Sequence, residues 1–115
     1  ALLGCIGAGD IGTFFPDSDP ALDNVNSAVL LDTVLEHVRK ANVHITHVDL
    51  TVIAQIPKVG PHREMIRRNV ARLLGLDMGA VNVKATTEEG LGFTGERLGI
   101  KAVAVVTGLC GNRDA

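Results

Sequence analysis

The run Lys84-Ala85-Thr86-Thr87-Glu88-Glu89-Gly90-Leu91-Gly92-Phe93 gathers a lysine, two hydroxyls and two carboxylates behind an apolar stretch, with glycines following at once. Hydroxyls and backbone N–H groups hold phosphate oxygens, and a carboxylate holds a hard divalent cation that bridges them. Taken alone, the run also reads as a polar turn capping a strand, because Thr, Glu and Gly are common turn residues. A second polar loop is Ala54-Gln55-Ile56-Pro57-Lys58-Val59-Gly60-Pro61-His62. There Pro57 stiffens the exit from a strand, Lys58 offers a compact cation, and Gly60 leaves backbone open to close approach. Such a segment can hold a planar base through main-chain groups while Lys58 meets a phosphate; it equally reads as an ordinary strand–helix connector. In a third loop, Gly9 to Asp19, the carboxylates of Asp10, Asp17 and Asp19 can orient a polyol or meet a metal, or serve Asx turns and helix caps. Their spacing is not that of an EF-hand. His44 and His47 form an H-x-x-H, but on a strand positions three apart face opposite sides and do not chelate. Glu88 reads as a surface neighbour, and Arg67, Arg68 and Arg72 as the solvated face of a helix.

These loops need a scaffold, and the 115 residues are enough for one domain. Hydrophobic residues make up 46% and aromatics only 3%, so the core must be aliphatic. A net charge of −2 with no basic face, and so few rings for stacking, argue against nucleic acid as a partner. No apolar run is long enough to span a bilayer, and no segment has a signal-peptide pattern. Cys5 and Cys110 match no metal or redox spacing and read as reduced thiols of a cytosolic or organellar protein. The small apolar start, Ala1 to Gly9, reads as the middle of a buried helix, so the expectation is a single domain over 1–115 truncated at its N-terminus.

The elements follow from period and punctuation. Pro16, Pro20 and the Asp residues predict an irregular loop over 10–23. Ser27 is the expected N-cap of a helix over 28–41, with Leu31, Val34, Leu35 and Val38 as its buried stripe. A strand is expected over 45–55. A second helix should start at Pro61 and run to Leu74, burying Met65, Ile66, Val70, Leu73 and Leu74 and ending at Gly75. Strands are expected over 81–86 and 100–109. Helices alternating with strands, then two strands in succession, predict an α+β fold: a two-layer α/β sandwich with a mixed sheet and helices on one face. The Ala54–His62 loop and the Lys84–Phe93 run follow C-terminal strand ends, where α/β folds often bind ligands.

Read in order, Gly9-Asp10-Ile11-Gly12, Phe15-Pro16-Asp17, Ala54-Gln55-Ile56-Pro57-Lys58, Pro61-His62 and Asn82-Val83-Lys84-Ala85-Thr86-Thr87-x-Glu89-x-Leu91-Gly92-Phe93-Thr94-Gly95 resemble the 2-C-methyl-D-erythritol 2,4-cyclodiphosphate synthase family of non-mevalonate isoprenoid biosynthesis. The resemblance runs from Ala1 to about Leu109 and implies a homotrimer with active sites between subunits. It implies conversion of 4-diphosphocytidyl-2-C-methyl-D-erythritol 2-phosphate to the 2,4-cyclodiphosphate, with CMP as leaving group. By matching position, Asp10, Ile11 and Gly12 would hold the methylerythritol hydroxyls, and Phe15, Asp17, Ser18 and Asp19 would line that pocket. Ala54, Gln55, Ile56, Pro57, Lys58, Val59 and Gly60 would cradle cytosine and ribose. Ala85, Thr86 and Thr87 would meet the diphosphate, with Thr87 as the catalytic, transition-state-stabilising residue. Glu89 would hold Mg²⁺ or Mn²⁺, and Phe93 would lie near the trimer axis. The family's Zn²⁺, held by an Asp-x-His pair and a further His, would have its ligands upstream of Ala1. A non-catalytic nucleotide-binding or trimer-assembly fragment is the alternative. Two departures, Glu96-Arg97 after Gly95 and Val103 in place of an acidic residue, bear on the axial channel. A bacterial cytoplasm or a plastid-type organelle is the implied location.

Overall fold

A computed structural model describes residues 1–22 and 25–111. In chain order the elements are α1 (Leu2–Cys5), α2 (Ile11–Phe14), a 3₁₀ turn (Pro20–Leu22), α3 (Ser27–Lys40), β1 (Val43–Ile53), a 3₁₀ turn (Gly60–His62), α4 (Arg63–Leu74), a 3₁₀ turn (Met78–Ala80), β2 (Val81–Thr86), α5 (Gly92–Gly95) and β3 (Lys101–Cys110). The strands form one sheet in the order β2-β1-β3. β1 and β2 run parallel, in a register that pairs Val48 with Val81 and Ile53 with Thr86. β3 runs antiparallel to β1: Asn42 accepts from the Gly111 N–H, and the Thr46 hydroxyl donates to the Thr107 carbonyl, so the pairing descends as β1 ascends. The sheet is therefore mixed and the fold α+β, as expected.

Contacts group the chain into two compact units, Ala1–Thr46 with the described residues from Val106 onward, and His47–Val105. In the first, Leu3, Val34, Val38 and Val43 form the core, with Leu2, Cys5, Ile6, Phe14, Phe15 and Ile45 packed against it. Val34 and Val38 stand one turn apart on α3, which is the stripe the helical period predicts. The helix begins one residue early, because the Asn26 carboxamide rather than Ser27 caps it, accepting from the Ala28 N–H at 2.8 Å. His37, Arg39 and Lys40 in its last turn suit the negative end of the helix dipole. His37 meets the Phe14 ring at 4.7 Å between centroids.

The expected loop over 10–23 is more ordered than its prolines suggest. Asp10 caps a helical turn at Ile11–Phe14, accepting from the Thr13 N–H and hydroxyl at 3.1 Å each, and Pro20 opens a 3₁₀ turn. A proline is compatible with the first position of such a turn, where its missing N–H has no partner to lose. Asp23, at the end of that expectation, lies outside the described residues.

In the second unit α4 packs on β2, whose Val81 and Val83 are buried. The helix does not start at Pro61. The Gly60–His62 turn is 3₁₀, closed by the His62 N–H on the Val59 carbonyl, and α-helix begins at Arg63. Gly75 ends it at φ 66°, the left-handed C-cap that glycine adopts without a Cβ clash. The buried stripe centres on Ala71, and Met65 is 62% exposed. At 100° per residue Met65 sits about 120° around the helix from Ala71, off the stripe. Arg67 corrects a second expectation. It is not on a solvated face: its guanidinium donates to the carbonyls of Val81 and Met78, each at 2.7 Å, and pairs with Glu64. Both ends of the turn leading into β2 are thereby tied to α4.

Candidate functional site

β1 and β2 end side by side, and two of the three polar loops leave from those ends. The Ala54 N–H extends the ladder by one step, donating to the Thr86 carbonyl at 3.1 Å. Adjacent strands lie about 4.8 Å apart, so Ala54–Gly60 and Thr86–Glu89 start as immediate neighbours. β2 ends at Thr86 because the chain turns there. The Thr87 hydroxyl accepts from the Glu89 N–H at 3.2 Å, and Glu89 (φ 57°) and Gly90 (φ 82°) enter the left-handed region. Ala85, Thr86, Thr87 and Glu89 are all exposed, two hydroxyls and a carboxylate on one short turn.

In the neighbouring loop Ala54 is buried, Ile56, Pro57 and Lys58 are exposed, and Val59 is half-buried. A side chain at Gly60 would meet only open space, so its backbone is approachable. The Gln55 Oε1 is buried and accepts no hydrogen bond from any described group. A buried acceptor without a donor is costly, which suits a position completed by a ligand N–H.

The third loop belongs to the other unit. Asp10 spends Oδ1 on the α2 cap, and Ile11 and Gly12 follow it, exposed. Asp17 and Ser18 lie in an exposed turn whose Pro16 carbonyl accepts from the Asp19 N–H at 3.1 Å. Phe15 is half-buried and packs against the Leu3–Val34 core, so part of its ring has a structural task.

Glu88 is the residue the sequence did not reveal. It is not a plain surface neighbour: Oε1 accepts from the Lys101 ammonium at 2.8 Å and Oε2 from the hydroxyl of the fully buried Thr94. Lys101, then the Thr94 hydroxyl, hold the Glu88 carboxyl below its ordinary pKa. Lys101 also lies 5.6 Å from the centroid of the Phe93 ring. The partners stand six and thirteen positions downstream, spacings that carry no helix or strand period. On β1 and β2, Asp49 accepts from Lys84 at 2.8 Å and Asn82 at 3.0 Å, and these two bonds hold its pKa down. The turn after Glu88 is closed by glycine contact: a Cβ on Gly95 would lie 2.1 Å from the Gly90 carbonyl carbon.

As a metal site, the turn offers one exposed carboxylate, Glu89, beside two hydroxyls. That suits Mg²⁺, which keeps most of its waters and takes one or two carboxylates together with phosphate oxygens. Zinc is different. Among the described residues no group of three or more His, Cys, Asp or Glu side chains can hold a metal ion, so the described residues do not by themselves form a zinc site. No helix of the described residues is long and apolar enough to cross a membrane.

Known proteins are similar to this chain in sequence and fold. The bifunctional enzyme IspD/IspF of Nitratidesulfovibrio vulgaris is 68% identical over 109 residues, 95% of this chain and 28% of that protein. The 2-C-methyl-D-erythritol 2,4-cyclodiphosphate synthase of Trichlorobacter lovleyi is 51% identical over 106 residues, 92% of this chain and 68% of the relative. The chain thus spans under a third of the bifunctional relative and about two thirds of the monofunctional one. Among solved structures, a CDP complex of IspF from Plasmodium falciparum superposes with a TM-score of 0.83 at 36% identity, covering 96% of this chain and 66% of that one. With residues 1–108 matched by the YgbB family and half or more of its aligned positions shared with these bacterial relatives, the chain belongs to the YgbB family.

Proposed function

We propose that the protein is a 2-C-methyl-D-erythritol 2,4-cyclodiphosphate synthase, a lyase of non-mevalonate isoprenoid biosynthesis. One observation carries the reading: parallel strands β1 and β2 end in register and present the Ala54–Gly60 loop and a hydroxyl–carboxylate turn side by side. That is the layout a nucleoside diphosphate needs, base on one loop and phosphates on the next. The relative solved with CDP and the relatives named as this synthase support the same assignment.

In the reaction a 2-phosphate oxygen bonds to the β-phosphorus while the bond from that phosphorus to the α,β-bridging oxygen breaks, and CMP leaves with the electron pair. Nucleophile and leaving group belong to one molecule, so catalysis is positioning and charge neutralisation. Main-chain groups of Ala54 to Gly60 hold cytosine and ribose, the buried Gln55 Oε1 takes a ligand N–H, and Lys58 neutralises phosphate. Hydroxyls of Thr86 and Thr87 donate to phosphate oxygens beside Ala85, Thr87 to those that gain charge in the transition state. In a homotrimer whose sites lie between subunits, Asp10, with Ile11 and Gly12, orients the methylerythritol hydroxyls, and Phe15, Asp17, Ser18 and Asp19 line that end. Glu89 would hold Mg²⁺ or Mn²⁺, which when bound would supply positive charge to offset that of the phosphates. Zn²⁺ is part of the proposal only as an ion whose ligands the described residues do not supply, and no step runs through it.

The assembly proposed is a homotrimer, with Phe93 toward its axis. Exposed apolar side chains along β3 support it: Val103, Val105 and Leu109 are 47%, 61% and 63% exposed. The bacterial relatives favour a cytoplasmic location over a plastid. Incubating the full-length protein, zinc and Mg²⁺ supplied, with the cytidine diphosphate substrate should release CMP and cyclodiphosphate in equal amounts. Absence of CMP would overturn the assignment and leave the nucleotide-binding fragment as the reading.

A further inference from the structure

We propose that Glu88 is a positioning residue, which with Thr94 and Lys101 clamps the turn that presents Thr87 and Glu89. The proposal rests on the phosphate-site reading of that turn and adds what holds it in place. Glu88 sits between the two working residues, and its neighbours' α-carbons lie about 3.8 Å to either side, so fixing its side chain fixes both. Both carboxylate oxygens are engaged, one by the Lys101 ammonium at 2.8 Å and the other by the Thr94 hydroxyl. Thr94 has no exposed surface, so one jaw of the clamp is set in the interior. Lys101 starts β3, so the other jaw is set on the sheet. The same ammonium faces the Phe93 ring, which ties the start of α5 to the clamp.

The backbone explains why a clamp is needed. Glu89 at φ 57° holds a conformation that side-chain-bearing residues seldom adopt, with Gly90 at 82° and Gly92 at 67° close behind. Glycine-rich backbone of this kind has many alternatives, and the hydrogen bonds described at the turn's tip are local: the Leu91 N–H donates to the Glu88 carbonyl at 3.1 Å, the Thr86 hydroxyl to the Thr87 carbonyl at 3.4 Å, and the Glu89 N–H to the Thr87 hydroxyl at 3.2 Å. That hydroxyl is the one proposed to meet the phosphates. Those three bonds stay within the turn, whereas the Glu88 carboxylate reaches outside it in two directions. Neither Glu88 nor Lys101 needs to touch the ligand.

The test uses the full chain and CDP with Mn²⁺ as the probe. Removing a residue that orients metal or phosphate contacts typically weakens binding about tenfold to 100-fold. Glu88→Ala and Lys101→Met should each weaken Mn²⁺-dependent CDP binding about tenfold, with Lys101→Arg near wild type, and the double variant should stay near tenfold because both changes release one clamp. CMP without metal, held by the Ala54–Gly60 loop, should bind as in wild type. Amide exchange over 87–90 should quicken in Glu88→Ala and Lys101→Met with no ligand present, a readout independent of activity and of the functional reading. Multiplying losses near 100-fold in the double variant, or unchanged exchange in both singles, would overturn the clamp. Wild-type protein that binds no CDP with Mn²⁺ would instead overturn the phosphate site beneath it. A variant that misfolds would lose CMP binding as well, and Glu88→Gln, which keeps size and one acceptor, then decides: wild-type affinity and exchange in it would overturn the charged clamp.

Discussion

At the residue scale the proposed chemistry rests on a few exposed groups, so their loss should cost function more than folding. Thr87→Ala should lower kcat roughly 100-fold, the scale seen when one donor to developing charge is removed. Its stability should change by no more than about 0.5 kcal/mol, as for other exposed positions, and CMP-release kinetics beside a thermal melt would show both. Glu89→Gln should raise the Mg²⁺ concentration needed for half-maximal turnover, and an unchanged Mg²⁺ dependence would remove Glu89 from the metal site. Arg67 makes the opposite case. Its two bonds to backbone carbonyls join α4 to the approach of β2, so Arg67→Met should destabilise by about 2 kcal/mol, the value of charged hydrogen bonds to groups left without a partner. The exposed turn that carries Thr87 and Glu89 was legible because hydroxyls and a carboxylate beside glycines are a recognisable turn composition. Glu88 and Arg67 were not, because a charged side chain is assigned to solvent until its distant partner is known.

Element by element, legibility followed the strength of the local signal. β2 is where alternation of Val81 and Val83 with Asn82 and Lys84 puts it, and Gly75 stops α4 where a left-handed residue is required. The loop over 10–23 misled, since Asp10 and Pro20, read as helix breakers, instead start short helical turns. Ser27 and Asn26 are both good caps, and only the Asn26 bond to Ala28 decides between them. Asn26→Ala should cost about 1 kcal/mol of stability, the usual worth of an N-cap. Between β1 and β2, the Asp49 carboxylate is held below its ordinary pKa by Lys84 and Asn82. A lowered folded-state pKa stabilises above the unfolded value and loses that contribution as pH falls through the folded one. Wild type should therefore melt above Asp49→Asn at pH 7, and the gap should close once pH drops below about 3.8, the ordinary value. A gap that persists in acid would mean the carboxylate's charge is not what the pair contributes.

For the molecule as a whole, aromatic scarcity correctly implied aliphatic burial: among the described residues the buried hydrophobics are Leu3, Val34, Val38 and Val43 in the first unit and Val48, Ala54, Ala71, Val81 and Val83 in the second. What remains outside is unusual for so small a chain, with Leu91, Leu98, Ile100, Val105 and Leu109 more than half exposed. No sequence period reports whether an apolar strand face meets its own chain or another copy, since both faces look alike in composition. If copies cover it, Val105→Lys should shift the protein from trimer toward monomer in sedimentation while the far-UV spectrum holds, and an unshifted trimer would exclude β3 from the interface.

The contact between Gly95 and Gly90 carries a consequence for anyone altering this protein. Because the two backbones touch with no space for a methyl, the number of residues between them is fixed as firmly as the links of a closed chain. Saturation mutagenesis should find position 95 closed to every other amino acid and the 90–95 segment closed to insertion. Exposed Leu91, between them, should accept broad exchange. Attempts to retune the site by redesign would thus have to work through side chains at a constant loop length.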